Sequence, residues 1–174
     1  VSDELASLFK SSSTTVTTIN DGLESVYSMI NENLSGDRPM TGTPTGFEKI
    51  DAKSGGLQKS DLIIIAGETS MGKTSLAVSM MRNAADLGTK IAMYSMEMKK
   101  EQITARILSM ESGAPANQIM YSRLTDSQLQ AVDKGIGKVS GKDIYFDDRS
   151  TSNIDTIISS IRYMKLKYGI DGAI

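Results

Sequence analysis

Cysteine and histidine are both absent from the 174 residues. Without cysteine there is neither a disulfide framework nor a thiolate zinc site, and without histidine the commonest imidazole metal sites go too. A hard cation such as Mg²⁺, held by phosphate and oxygen ligands, remains possible. Charge of either sign is also lacking in excess: 19 Lys and Arg stand against 21 Asp and Glu, a net charge of -2. That balance does not have the basic surplus of a protein that binds nucleic acid by electrostatics alone. No apolar run approaches the ~20 residues needed to cross a bilayer, and the amino end lacks the basic-then-apolar pattern of a secretory signal. A soluble chain in a reducing compartment, the cytoplasm, with no membrane partner, is therefore expected. Apolar residues make up 39% of the chain, enough for one core in a single domain of this length.

Against this background the segment 67–74, Gly-Glu-Thr-Ser-Met-Gly-Lys-Thr, fits the phosphate-loop pattern G-x-x-x-x-G-K-[ST]. Its flanks have the required types. Residues 62–66, Leu-Ile-Ile-Ile-Ala, read as a short buried strand, and residues 75–85 read as a helix. Glycines let backbone amides turn towards a polyphosphate, and a helix start adds unpaired N–H groups and the positive end of its dipole. Gly67, Ser70, Met71, Gly72, Lys73, Thr74 and Ser75 are accordingly the nucleotide-binding candidates. Lys73 has the further role of reaching the outer phosphates as a point charge, and the Thr74 hydroxyl that of ligating Mg²⁺. The competing reading is a chance match in a glycine-containing turn.

Residues 1–18 include the small polar run 11–18 and read as a flexible tether. Ile19, Leu23, Val26, Tyr27, Ile30 and Leu34 then recur at helical spacing, ending near Gly36, so 19–40 reads as an amphipathic helix and loop. Its apolar stripe can pack on its own domain or on a neighbouring subunit; the pattern says only that something covers it. From Gly46 onward helical and strand-like stretches alternate, which predicts an α/β class, a parallel sheet covered by helices. Strands are expected at 91–96, 144–146 and from Ile170. Helices are expected at 99–112 with Ile103, Ile107 and Leu108 inward, from the Thr125 capping box with Leu129, Val132, Ile136 and Val139 inward, and from Ser152 or Asn153 to Gly169. Met80, Met81, Met93, Met96 and Met98 cluster around the loop helix and the next strand, where core filling is the default.

Ligands of open parallel sheets gather outside the carboxyl ends of the strands. Glu97 directly follows the strand at 91–96 and emerges on that edge. A carboxylate there can orient and deprotonate a water attacking the γ-phosphate, although a first-turn acid favouring the next helix dipole is an equally ordinary role. Asp147 and Asp148 fall on the same edge, where loop solvation or helix capping accounts for them.

Together these stretches resemble the RecA-like motor domain of hexameric replicative DNA helicases of the DnaB type, over residues 41–174. The carriers are the lead-in Thr-Gly-Thr-Pro-Thr-Gly-Phe-Glu-Lys-Ile-Asp at 41–51, Gly-Gly-Leu-Gln-Lys-Ser-Asp-Leu at 55–62, Ser-Met-Gly-Lys-Thr at 70–74, Ser-Met-Glu-Met at 95–98 and Ile-Tyr-Phe-Asp-Asp at 144–148. The resemblance implies a RecA-like P-loop NTPase core preceded by a linker helix, ATP and Mg²⁺ as cofactors, and Glu97 as general base. It implies that Arg106 helps line the phosphate site, the alternative being a solvated helix cation. The helix at 19–34 resembles the linker that grips the adjacent motor, implying a homo-hexamer with nucleotide sites at subunit boundaries. Single-stranded DNA would be met through segments beyond this chain, and primase and a helicase loader are candidate partners. Glu68-Thr69 departs from the arginine-proline common in this family's loop. The family's second metal-associated aspartate and trans-acting arginine finger would lie beyond Ile174, so the chain alone is expected to hydrolyse poorly. A RecA-like recombination or repair ATPase and a nucleotide-gated assembly module are the alternatives.

Overall fold

The computed structural model describes residues 18–34, 41–149 and 153–174, side-chain detail at Asn33 excepted. The polar run assigned to a tether falls almost wholly outside these residues. The chain forms two units, residues 1–39 and 40–174. In the first, helix α1 (Ile19–Leu34) carries the expected stripe, opened by Thr18, whose backbone N–H donates to Asp21 Oδ2 at 2.7 Å. Leu23, Val26 and Ile30 on that stripe are about half exposed.

The second unit contains α2 (Glu48–Ser54), α3 (Lys73–Asp86), β1 (Ile91–Tyr94), α4 (Lys100–Ser112), α5 (Ala116–Tyr121), α6 (Asp126–Val139), β2 (Ile144–Asp147), α7 (Ile154–Tyr168) and β3 (Gly172–Ala173). The three strands are parallel in the order β2-β1-β3, with Ile91 opposite both Ile144 and Gly172. Because side chains alternate along a strand, the sheet has two distinct faces. Ile91 and Met93 of β1, with Ile144 and Phe146 of β2, turn to a core filled by Val78, Met81 and Ala84 of α3 and Ile103 and Ile107 of α4. On the other face Tyr94 reaches Ser160 of α7, and Tyr145 stacks on Tyr168 with ring centroids 4.5 Å apart. The α/β architecture expected from the sequence is present, with helices on both faces of a parallel sheet.

Local signals placed the helix ends well. Thr125 and Gln128 cap α6 reciprocally, Asn153 accepts from Asp155 N at 2.9 Å to open α7, and Gly113 and Gly169 close α4 and α7 in the left-handed conformation. Two expectations need correction. Residues 62–66 form no strand: Leu62 is 88% and Ile64 79% exposed, and none of their backbone groups joins the sheet. Their residue types suit a buried strand, but a strand exists only through ladder partners, and the free edge of β3 is not engaged by them. In α6, Leu129 and Ile136 are about half exposed, while Val132 and Gly135 face inward. A Cβ at Gly135 would stand 3.1 Å from Glu111 Cβ, so a glycine lets α6 lie close against α4.

Candidate functional site

Helix α3 starts directly out of the glycine loop. Gly72, at φ +88°, is its N-cap, a conformation costly for any residue with a Cβ, and Ser70 just before it also has positive φ at +67°. Met71 N reaches the Glu68 carbonyl at 3.3 Å, and within the helix Leu76 N is the first amide to find a carbonyl, that of Gly72 at 2.9 Å, so the N–H groups of Lys73, Thr74 and Ser75 have no backbone acceptor among the described residues. Four unsatisfied donors are intrinsic to a helix start, and here they share a turn with a cation. The Lys73 ammonium folds over the loop and donates to the carbonyls of Gly67 and Glu68, both at 2.8 Å. Unpaired amides, a lysine ammonium and a Thr74 hydroxyl without a hydrogen bond among the described residues form a donor set that suits a polyanion with a hard cation. Met71 is 74% exposed.

The return from α3 fixes where this cradle lies. The turn at Leu87 and Gly88 sends the chain from the end of α3 into β1, so α3 runs back along the sheet and its start lies towards the carboxyl ends of the strands. Helix α4 leaves from that same edge after β1, and Arg106 on it donates from Nη1 to Ser75 Oγ at 3.0 Å. The structure thus brings Arg106 onto the first turn of the loop helix. A cavity of about 470 Å³ lies beside this contact, lined by Ser75, Met98, Gln102, Arg106, Met110 and Tyr121 among others.

Glu97 sits in the turn between β1 and α4, exposed, and its side chain makes no hydrogen bond or ion pair among the described residues. It lies on the carboxyl edge of the sheet, as expected from its position after the strand. Asp147 and Asp148, at the exit of β2, share that edge. Asp147 accepts from Arg149 Nε at 2.7 Å and from Ser160 Oγ at 2.8 Å, and Ser160 Oγ in turn accepts from Tyr94 OH at 3.2 Å. The Arg149 hydrogen bond holds the Asp147 carboxyl down at about 2; burial opposes this, and Ser160 adds to it. Asp148 accepts from Lys100 N at 3.3 Å at the start of α4. Of the two roles expected for these aspartates, loop solvation and helix capping, Asp148 takes the capping one; Asp147 takes neither and pairs with Arg149 and Ser160 instead.

Sequence reasoning missed the polar network at the far end of α3. Thr45, fully buried, donates from N and Oγ1 to Asp51 Oδ1 at 2.8 and 2.7 Å, and Gly46 N donates to Oδ2 at 3.0 Å. Burial pushes the Asp51 carboxyl up, and these three hydrogen bonds outweigh it and hold it below the usual carboxylate range. Asn83 Nδ2 donates to Thr45 O at 3.0 Å, its neighbour Arg82 pairs with Asp86 and with the buried Glu111 of α4, and Lys142 pairs with Asp86. Thr-x-x-x-x-x-Asp at 45–51 was the available signal, but nothing in the spacing says that α3 closes on it.

Among the described residues no cluster of His, Cys, Asp and Glu could hold a metal on its own, and no helix is long and apolar enough to cross a membrane.

The family described as DnaB-like helicase C terminal domain matches residues 42–174. The Replicative DNA helicase DnaB of Geobacillus stearothermophilus is 32% identical over 153 residues, 87% of this chain and 34% of that protein. That of Helicobacter pylori (strain ATCC 700392 / 26695) is 34% identical over 151 residues, 86% of this chain and 31% of that protein. The chain therefore spans about a third of these curated relatives. Among solved structures, one described as an ATPase domain superposes with a TM-score of 0.77 at 27% identity, covering 87% of this chain and 53% of that one. A DnaB-like replicative helicase, described with its interactions with primase, gives a TM-score of 0.75 at 26% identity over 96% of this chain and 41% of that one.

Proposed function

The chain belongs to the DnaB-like helicase C-terminal domain family, and on that premise we propose that it serves in an ATP-driven replicative helicase motor. In this reading the parent protein couples ATP hydrolysis around a homo-hexameric ring to translocation on single-stranded DNA and duplex unwinding. The observation that carries it is the loop itself: the Lys73 ammonium lies over a glycine turn whose following amides have no backbone partner among the described residues, on the sheet edge where Glu97 and Arg106 also sit.

The amides of Met71, Gly72, Lys73, Thr74 and Ser75, with Gly67 and Ser70 shaping the turn, hold the triphosphate. Lys73 exchanges its two loop carbonyls for phosphate oxygens, a charge-assisted contact of greater strength. Mg²⁺, bound through the Thr74 hydroxyl and phosphate oxygens, would neutralise charge developing on the transferred group. Glu97 orients an attacking water and takes its proton, and Arg106 lends positive charge beside Ser75. Phosphoryl transfer asks mainly for positioning and electrostatics, and this set of groups supplies both.

Helix α1, with its apolar stripe, serves as the linker that packs on a neighbouring motor, and residues 41–174 belong to the motor itself. In this reading the parent protein meets single-stranded DNA through other segments, has primase and a loader as candidate partners, and works in the cytoplasm at the replication fork. The test uses the full-length protein: ATP hydrolysis stimulated by single-stranded DNA, unwinding of a forked duplex, and loss of both in Lys73→Ala. Robust hydrolysis by a strict monomer, indifferent to DNA, would overturn the proposal.

A further inference from the structure

Between β1 and α4 the chain makes one turn, with Glu97 in its middle, and the backbone of that turn is tied at both ends to two consecutive aspartates. At its start Ser95 N donates to the carbonyl of Asp147 at 3.0 Å. At its end Lys100 N donates to the carboxylate of Asp148 at 3.3 Å. Inside it, Met98 N donates to Ser95 Oγ at 3.1 Å and Lys99 N to Gln102 Oε1 at 3.1 Å. The two aspartates are themselves anchored, because Arg149 and Ser160 grip Asp147, and Ser160 accepts from Tyr94, the residue immediately before the turn. The bonds form a closed circuit from Tyr94 through the turn, across to Asp148, back through Asp147 and Ser160 to Tyr94.

We propose that Asp148 is a positioning residue for Glu97, fixing the far end of the turn so that the carboxylate faces the nucleotide edge. The proposal rests on the reading of Glu97 as the water-activating acid. The Glu97 side chain has no polar partner among the described residues, so the backbone of the turn is what sets the position from which its carboxylate reaches out. Reactions of this kind lose about a hundredfold in rate for a misplacement on the order of 1 Å. A helix cap serving stability alone is a poorer account of Asp148. Gln102 caps the neighbouring Lys99 N, α4 is anchored by its buried Ile103, Ala105 and Ile107, and Asp148 reaches the Lys100 amide from another element, 48 positions away.

The experiment measures ATP binding, steady-state hydrolysis and thermal unfolding in the full-length protein for Asp148→Ala and Asp148→Asn. Asn keeps a carbonyl oxygen for the Lys100 amide. For Asp148→Ala we expect kcat to fall about tenfold or more, with ATP affinity within about twofold of native and an unchanged unfolding midpoint, and for Asp148→Asn most of kcat to return. A native kcat in Asp148→Ala, or parallel loss of binding and unfolding midpoint, overturns the proposal. If Asp148→Ala does not fold, Ser95→Ala, which removes the acceptor for Met98 N within the turn, must show the same split, and a native kcat there overturns it equally. Native hydrolysis that disappears in Lys73→Ala but survives Asp148→Ala sinks this inference alone; no hydrolysis by the native protein sinks it together with the proposed function.

Discussion

Arg106 on α4 donates a hydrogen bond to Ser75 in the first turn of α3 at 3.0 Å, across 31 positions of sequence. The guanidinium is thereby held on the helix turn that follows the phosphate loop. Arg106→Ala should weaken ATP binding and turnover together by about ten- to a hundredfold, since a charge-assisted contact to phosphate contributes on the order of 1.5–3 kcal/mol. The part-buried contact adds little to folding, so the unfolding midpoint should stay near native. Fluorescent-nucleotide titration beside steady-state hydrolysis checks this, and unchanged affinity would return Arg106 to a solvated helix cation.

Gly46 is held at φ +77°, and a Cβ built there would lie 2.3 to 2.6 Å from Asn83 Nδ2, Cγ and Cβ. Gly46→Ala therefore meets both backbone strain and a clash that side-chain rotation does not relieve, and should cost about 1–3 kcal/mol of stability. Adding Asn83→Ala removes the Nδ2 and Cγ clashes but keeps the Cβ contact at 2.6 Å, so it should recover part of the steric cost and leave the strain. Denaturant unfolding of the two single variants and the double variant measures the difference, and strict additivity would mean that the two positions do not touch.

Asp147 has a folded value of about 2 against an ordinary 3.8, so its ionised form is favoured in the native state. The resulting stability is present above about pH 4 and is lost as the pH falls from there through about 2. The Asp147 side chain is 8% exposed but that of Arg149 is 63% exposed, so solvent screens much of the pairing and roughly 1 kcal/mol is the expected contribution. Arg149→Ala should remove that contribution at pH 7 and flatten the acid limb of a stability profile taken by chemical denaturation. An identical acid limb in the variant would show that Arg149 does not depress Asp147.

What could be read from the residues was what is local. The Thr125 and Asn153 caps and the Gly113 and Gly169 stops depend on neighbours within four positions, and the phosphate loop closes within six, from Lys73 to Gly67. Helices α2 and α5, of 7 and 6 residues, are too short to show a period. The closure of Asn83 on Thr45 joins positions 38 apart, and the cap of α4 by Asp148 joins positions 48 apart; no spacing rule reaches that far. Residues 62–66 fail in the opposite sense, because composition announced a strand and composition cannot supply a pairing partner. In α6 the helical period was right, but the small volume of Gly135, not the large side chains of Leu129 and Ile136, determined which face turned inward.

Leu62 and Ile63, with the exposed Ile64 next to them, stand open to solvent near the edge of β3 that no other described strand shares. A bare run of branched apolar residues is a template on which another chain can add, and a net charge of -2 gives little electrostatic repulsion to keep copies apart. Solutions of this polypeptide should therefore turn cloudy with rising concentration, as light scattering would register, and Ile64→Lys should keep them clear.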